Sequence, residues 1–331
     1  MPSYLLQRLV HAAIVIVVVV FVVSLIVKVI PGDPVDVMAA GNPGITEEQK
    51  DKLRAQLGLT RPALEQFASY LTGAVQGDLG QSIRFRVPVT QLIAERLPAT
   101  LELTVFSMII AMLIALPLGV VTALRRGSMV DYSGTVVAIL GVSIPSFVLG
   151  ILLIIIFAVD LRWLPASGRG EFILTAAYKA VVEGDAGVFW KSFRYLLLPS
   201  IALALSITAW NARLTRSAML EALRQDYVQF ARAKGLPNRA VYIRHAFRNA
   251  MIPTITILGL QLGYLLGGTF VIENVFAWPG VGRLAVQAIF WRDYPIIQGI
   301  VVVIGGLFVL INIGIDVIYR MVDPRIRYDR A

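Results

Sequence analysis

The sequence predicts an all-α integral membrane protein with six transmembrane helices, and three observations carry this prediction. The 331-residue chain is 57% hydrophobic and only 15% charged, whereas soluble domains usually contain about 25% charged residues. Its mean hydropathy is +0.74. Mostly apolar stretches of about 20 residues, the length of a membrane-spanning helix, recur along the chain. These stretches are too long for the alternating strands of a membrane barrel.

Six segments are the predicted spans. They are Leu9–Ile30, Leu101–Leu124, Ser133–Val159, Tyr195–Leu214, Ala250–Ile272 and Ile296–Arg320. The fourth is the least regular, because Pro199, Asn211 and Arg213 interrupt it. The first continues to Lys28 without a small-residue cleavage site, so we interpret it as a retained anchor and not as a secretory signal.

The distribution of charge predicts that both termini lie in the cytoplasm. In this orientation the cytoplasmic segments carry 15 Lys/Arg and six Asp/Glu, and the outer segments carry 15 of each. Seven of the outer basic residues lie in the loop Pro31–Ala99, and long loops cross membranes largely regardless of charge. The formal net charge of +9 therefore falls on the cytoplasmic side of the membrane. Attraction to anionic lipid headgroups explains this positive charge without a nucleic-acid partner.

The loop Pro31–Ala99 is predicted to fold as a small helical cap on the outer face. Thr46 and Gln49 have the spacing of a capping box at a helix start. Pro62 and Gly77 then bound a second helix. Contact with an external molecule, shielding of an entrance and a purely structural role are all compatible with such a cap.

The predicted organisation has four parts. They are an N-terminal transmembrane helix (1–30), the external cap (31–99), a transmembrane core (100–320) that contains a cytoplasmic loop (215–249), and a cytoplasmic tail (321–331).

The fifth span carries small residues at regular spacing. Gly259, Gly263 and Gly267 recur every four residues and so share one helix face, which allows another helix to approach closely in lipid. The partner helix belongs either to this chain or to a second subunit. Gln261 lies near the middle of the span, where a polar side chain faces protein or a water-filled path, so it is a candidate for lining a translocation path.

Motifs for catalysis and cofactor binding are absent from the sequence. The chain has no cysteine and two histidines, His11 and His245, and it contains no GxxxxGK[ST], GxSxG or HExxH pattern. The acids in the spans, Glu102 and Asp316, lie near opposite ends and form no obvious proton relay. We therefore expect no enzyme activity, bound cofactor or metal, and an energy source for any active transport on another protein.

The basic segment, Asp226–Pro253, is unusual for a connection between two spans, since it holds five Lys/Arg. Its first part is predicted to be a short helix that ends at Gly235, a typical C-cap residue. One face of that helix carries Tyr227, Phe230, Ala231 and Lys234.

A second helix is predicted from Pro237, which suits a first helical turn. Its apolar stripe is predicted to be Ile243, Phe247, Ala250 and Met251, and Pro253 is expected to break or kink it. Two interpretations remain open from these patterns. The segment is either an interfacial helix pair with arginines on lipid phosphates, or a docking element that transmits a partner's motion to the spans.

Several strings resemble the permease subunits of ABC importers, and specifically the B-type membrane subunit of dipeptide/oligopeptide permeases. The segments DYVQFARAKGL and RNAMIP are similar to that family's cytoplasmic loop. Seven further strings occur in the same order: PGDP, LGL, GDLGQS, RLPATLELT, SIPSF, WLPASG and FVIENVFAWPGVG. Phe247 and Arg248 stand where importers in general have Leu-Pro, a variant that the peptide subfamily resembles.

This resemblance implies the type I ABC importer permease fold in a bacterial inner membrane. It implies a second homologous permease subunit, two ATP-binding subunits that hold ATP and Mg²⁺, and an external solute-binding protein. It also implies that a helix around Asp226–Leu236 couples to an ATPase. The residues implied in coupling are Asp226, Tyr227, Phe230, Ala231, Lys234, Gly235 and Leu236.

Peptides are the expected substrate, and nickel, glutathione and opine-like solutes are alternatives that similar subunits serve. A stand-alone secondary carrier or membrane anchor, with the basic segment on lipid, is a more distant alternative.

Overall fold

A computed structural model describes residues 2–29, 33–40, 46–56 and 58–322. In chain order the helices are α1 (Pro2–Val29), α2 (Pro34–Ala40), α3 (Glu47–Gln56), α4 (Ala63–Val75), α5 (Val89–Leu124), α6 (Met129–Ser143), α7 (Ser146–Leu153), α8 (Ile173–Val182), α9 (Ala186–Ala222), α10 (Asp226–Ala233), α11 (Asn238–Ala240), α12 (Arg248–Gly268), α13 (Phe270–Val275), α14 (Val281–Trp291) and α15 (Tyr294–Val322). Two π-helical segments, Ile154–Asp160 and Val241–Phe247, continue α7 and α11.

The chain forms two compact units. The first comprises residues 1–100 and 279–310, and the second comprises residues 101–278 and 311–331. The long helices α5 and α15 each contribute residues to both units.

In the first unit, the predicted capping box is confirmed. The backbone N–H of Thr46 donates to Oε1 of Gln49 over 3.0 Å, and the N–H of Gln49 donates to Oγ1 of Thr46 over 3.4 Å. The helices α3 and α4 occupy the two predicted positions, and the short helix α2 was not predicted. Aliphatic side chains from α5, α14 and α15 form this unit's core, including Val89, Ile93, Val281, Leu284 and Ile296.

In the second unit, α9 is the central helix. It packs against α6, α7, α8 and α12. It runs for 37 residues, through Pro199, which is buried. At 1.5 Å per residue it is about 55 Å long, so it extends beyond both ends of the predicted span Tyr195–Leu214.

Four helices in the described part of the chain are long and apolar enough to cross a bilayer. They are Val89–Leu124, Ala186–Ala222, Asn238–Gly268 and Tyr294–Ile315. Shorter apolar helical stretches overlap the first and third predicted spans, namely Ala13–Leu25, Met129–Ile139 and Ser146–Asp160. Residues 323–331 of the predicted tail lie outside the described residues, and so does the side chain of Asp316.

One expectation about helix continuity was wrong, and another stays open in part. The predicted span Ser133–Val159 is not one helix, because α6 ends at Ser143 and α7 begins at Ser146. Pro145 lies between them, lacks an N–H to donate, and disfavours a helical conformation of the preceding residue. At Pro253, where a break or a kink was expected, α12 continues unbroken to Gly268, and the kink stays a prediction.

Candidate functional site

The basic segment folds locally as the sequence predicts. The helix α10 ends in a left-handed residue, Gly235, with φ of +76°. The N–H of Leu236 donates to the carbonyl of Ala231 over 3.3 Å, and the N–H of Gly235 donates to the carbonyl of Arg232 over 2.9 Å. These two bonds form a Schellman motif, which ends a helix sharply and satisfies its last carbonyls. Gly235 is therefore the hinge between two helices.

Two buried side chains pack α10 against the rest of the second unit. Val228 and Ala231 are 0% and 4% exposed. They belong to a cluster with residues from the ends of α5 and α9, from the π-helical segment and from α12: Ala123, Met219, Ala222, Val241, Ala246 and Ala250. Most of these residues are alanines, which let the backbones approach closely. The short helix thus packs against the π-helical segment Val241–Phe247 and shares a buried cluster with the ends of α5, α9 and α12.

The rest of α10 and its C-terminal turn are exposed, and they carry three large hydrophobic side chains. Tyr227, Phe230 and Leu236 are 39%, 62% and 39% exposed. The ammonium group of Lys234 lies 4.6 Å from the centre of the Phe230 ring, a cation–π arrangement. Asp226 is also exposed, in the first turn, where a carboxylate is favourable to the helix dipole.

The structure thus divides the residues expected on one face of α10. Ala231, which the helical spacing placed with Tyr227 and Phe230, is buried against the core. Sequence analysis did not single out Val228, the main anchor, although an apolar residue three positions before Ala231 was an available signal.

The second helix of the basic segment is one continuous helical run, Asn238–Gly268. Its buried stripe is Val241, Ala246 and Ala250, and the predicted member Ile243 is 56% exposed. The stripe shifts because Val241–Phe247 is π-helical, so that residues five apart, and not four apart, lie above one another. The exposed turn at Gly235 therefore leads into one continuous helix, which is a candidate span.

The three glycines of the predicted stripe in α12 lie in different environments. A Cβ atom on Gly259 would lie 2.5 Å from Cγ1 and Cδ1 of Ile315, so Gly259 allows close packing within this chain. Gly263 is buried. A Cβ atom on Gly267 would have no neighbour within 4 Å among the described residues. The glycine stripe therefore packs against this chain at Gly259 and meets no other described residue at Gly267.

Gln261 lies at a contact between α9 and α12. Its Oε1 accepts a hydrogen bond of 2.5 Å from Nδ2 of Asn211. The same nitrogen donates to the carbonyl of Ile207 over 2.8 Å, and Asn211 is 0% exposed. Gln261 therefore faces protein on at least one side, one of the two environments expected for a polar side chain in a span.

A buried ion pair that sequence analysis missed involves Glu102. Its carboxylate accepts hydrogen bonds from Nε of Arg169 at 2.8 Å and from the N–H of Ile173 at 2.6 Å. The Arg169 guanidinium lies 5.6 Å from the ring of Trp278, which is 1% exposed. Glu102, Arg169 and Trp278 lie in or next to the strings RLPATLELT, WLPASG and FVIENVFAWPGVG, so these strings meet in the structure.

Two family models together match nearly the whole chain. The model described as "Binding-protein-dependent transport system inner membrane component" matches residues 115–328. The model for the N-terminal part of such membrane components matches residues 1–104.

Curated relatives match over almost their full length. A putative peptide transport system permease protein of Brucella abortus (strain 2308) is 41% identical over 329 residues, which cover 99% of this chain and 100% of the relative. The dipeptide transport system permease protein DppB of Escherichia coli (strain K12) is 40% identical over 318 residues, which cover 92% of each chain.

A solved structure has a similar fold. It is a chain of the MetNI methionine ABC transporter in inward-facing conformations, with a TM-score of 0.52 and 19% identity. The match covers 70% of this chain and 97% of that one. At this identity the likeness shows the fold alone.

Proposed function

The chain belongs to the binding-protein-dependent transport system inner membrane components, and on that premise we propose that it imports di- and oligopeptides as one of two permease subunits of an ATP-driven transporter. The peptide substrate is inferred from relatives named as peptide and dipeptide permeases at about 40% identity. The same machinery carrying nickel, glutathione or opine-like solutes is the second candidate.

The proposed topology has six spans with both termini in the cytoplasm. The four long apolar helices supply four of the spans, α1 supplies the first, and α6 with α7 supplies the third. The fold is consistent with this arrangement, because two regions predicted to be external, residues 78–99 and 279–295, pack together in the first unit.

The observation that carries the coupling role is the position of α10. Its buried face packs against the segment Val241–Phe247 and shares one buried cluster with the ends of α5, α9 and α12, while Tyr227, Phe230, Lys234 and Leu236 are exposed. A partner that binds the exposed face and moves α10 would therefore displace three candidate spans together through this cluster. We assign the exposed residues, with Asp226 and Gly235, to the ATPase contact, and we assign Ala231 to the internal anchor.

The remaining proposed partners follow from the same role. Two ATP-binding subunits bind ATP and Mg²⁺, a second homologous permease completes the path, and an external solute-binding protein delivers the substrate. The open glycine Gly267 is a candidate contact for the second permease, and Gln261 is a candidate for lining the path.

Substitution of Gly235 by valine tests the coupling role. A β-branched residue is strained at φ of +76°, and in space that is otherwise open the strain changes the hinge and not a core. Gly184 is a matched control, with φ of +75° and no neighbouring atoms within 4 Å. We expect Gly235→Val to abolish peptide uptake with normal membrane insertion, and Gly184→Val to retain it.

Normal uptake and normal ATPase stimulation in Gly235→Val would count against coupling through α10. The carrier and anchor alternatives predict a different result. If this chain alone, reconstituted without any ATPase, takes up solute down an ion gradient, it is a secondary carrier and the proposal is wrong.

A further inference from the structure

A basic cavity of about 410 Å³ lies beside the C-terminal end of α9. Its lining residues are Arg126, Arg216, Ser217, Leu220, Glu221, Arg224 and Gln225. Three arginines and one glutamate thus line the same cavity. The volume is within the range of small-molecule binding sites.

One of the three arginines is already neutralised. Arg216 donates hydrogen bonds from Nε and Nη2 to the two carboxylate oxygens of Asp131, at 2.6 and 2.8 Å. These bonds lower the pKa of the Asp131 carboxyl, which lies two residues before the predicted third span, to about 2. The pair therefore stays ionised at physiological pH, and its two charges cancel.

The positive charges of the other two arginines are available to bind an anion. Arg126 and Arg224 are exposed and have no ion-pair partner among the described residues. Their two charges exceed the single charge of Glu221, and Arg213 adds to the positive field nearby. An anion in the cavity would be held by guanidinium groups, whose planar donors match the oxygens of a phosphate.

A second cavity of about 360 Å³ adjoins the first and is more apolar. It is lined by Thr135, Trp210, Arg213, Leu214, Arg216 and Ser217. Because Arg216 and Ser217 line both cavities, the two cavities are neighbours, and together they are called the groove. Trp210 is 52% exposed and lies one turn before Leu214, where the predicted fourth span ends. Tryptophan at such a depth is typical of the membrane interface.

We propose that this groove binds an anionic phospholipid, with its phosphate between Arg126 and Arg224 and an acyl chain along Trp210 and Leu214. A free phosphate would use only the basic cavity, so the apolar continuation favours a lipid. Basic pockets between helices at the membrane surface are known to hold acidic headgroups. The inference depends on the membrane location of the family and not on the coupling role of α10.

The full chain in detergent, mixed either with phosphatidylethanolamine alone or with equimolar phosphatidylethanolamine and phosphatidylglycerol, tests the site. Native mass spectrometry measures retained phosphatidylglycerol, and the melting temperature measures stabilisation. Two arginine charges together account for roughly thirtyfold in affinity, so Arg126→Gln with Arg224→Gln is expected to weaken phosphatidylglycerol retention by that factor. Arg125→Gln, in the same turn but outside the lining, is the control and is expected to retain it.

Three outcomes would overturn the proposal. Equal retention in the double variant and the wild-type chain would remove the site. Stabilisation of the wild-type chain by inorganic phosphate to the same extent as by phosphatidylglycerol would assign the cavity to a free anion. Loss of a co-purifying ATPase with unchanged lipid retention would assign the arginines to that interface. Since the assay requires no transport, its failure would leave the proposed import function standing.

Discussion

Ser82 Oγ donates a hydrogen bond of 2.5 Å to Oδ2 of Asp293, although the two residues are 211 positions apart. The same carboxylate oxygen accepts the backbone N–H of Arg84 over 3.0 Å. Both Ser82 and Asp293 are buried. One carboxylate therefore holds the turn after the GDLGQS string against the residue that precedes α15, within the first unit.

Asp293→Ala is expected to destabilise the chain. It removes the acceptor for one buried and one partly buried hydrogen bond to a charged group, a loss of about 2 kcal/mol that lowers the melting temperature of the purified chain. Asp293→Asn keeps one acceptor oxygen and should lie between the alanine variant and the wild type. Asp78→Ala, which removes an exposed carboxylate from the same loop, is the control. Equal losses for Asp78→Ala and Asp293→Ala would contradict the role of the buried carboxylate.

Gly259→Ala and Gly267→Ala separate the two ends of the glycine stripe. The first forces Ile315 to move, because the new methyl group would lie 2.5 Å from its side chain, and overpacking of this kind costs about 1–3 kcal/mol. The second meets no atom of the described chain and gains helix propensity. We expect a lower melting temperature for Gly259→Ala alone.

Co-purification extends this comparison. If Gly267 contacts the second permease, Gly267→Ala should reduce recovery of that subunit with the tagged chain while the melting temperature of the isolated chain stays unchanged. Full recovery would remove Gly267 from the subunit interface.

Val228→Ala and Phe230→Ala distinguish anchoring from docking within α10. The loss of two buried methyl groups should lower the stability of Val228→Ala by about 2 kcal/mol. Phe230 is 62% exposed, so Phe230→Ala should melt as the wild-type chain does but lose peptide-stimulated ATPase activity. Stimulation that survives in Phe230→Ala, together with Tyr227→Ala, would exclude this face as the ATPase contact.

Gln261→Leu tests the path candidate. The interhelical hydrogen bond from Asn211 is lost, and such bonds in membranes contribute on average about 0.6 kcal/mol, so the melting temperature should fall only slightly. A residue that lines the path should lower the peptide uptake rate much more than this small loss explains. Leu260→Ala, at an exposed neighbouring position of the same helix, is the control. Unchanged uptake in Gln261→Leu would leave Gln261 with a structural role only.

Local features of the fold were predictable because their causes are local. The capping box of α3 depends on the side chains of Thr46 and Gln49, which are three residues apart, and it forms as expected. The stop at Gly235 depends on a residue that adopts a positive φ without strain. Apolar length alone predicted four of the long helices.

The register of the basic segment was not predictable in the same way. An assumed α-helical spacing placed Ile243 inside, whereas this side chain is 56% exposed. The π-helical turns at Val241–Phe247 change that spacing, and they are compatible with the packing of Val241 and Ala246 against α9 and α10. The spacing of apolar residues within one helix does not specify how the neighbouring helices pack against it.

By itself, the sequence determined that this protein is a helical membrane protein, where several of its helices start and stop, and the family to which it belongs. These properties follow from hydropathy, from helix-capping residues and from motifs that occur in a fixed order. Each of these features depends on a few neighbouring residues or can be read directly from the sequence. Only the tertiary structure decided which face of α10 is anchored, that Gln261 meets Asn211, and that Ser82 meets Asp293. Contacts between distant positions arise when whole helices pack, because the burial of each side chain then depends on residues that its own sequence neighbourhood does not specify.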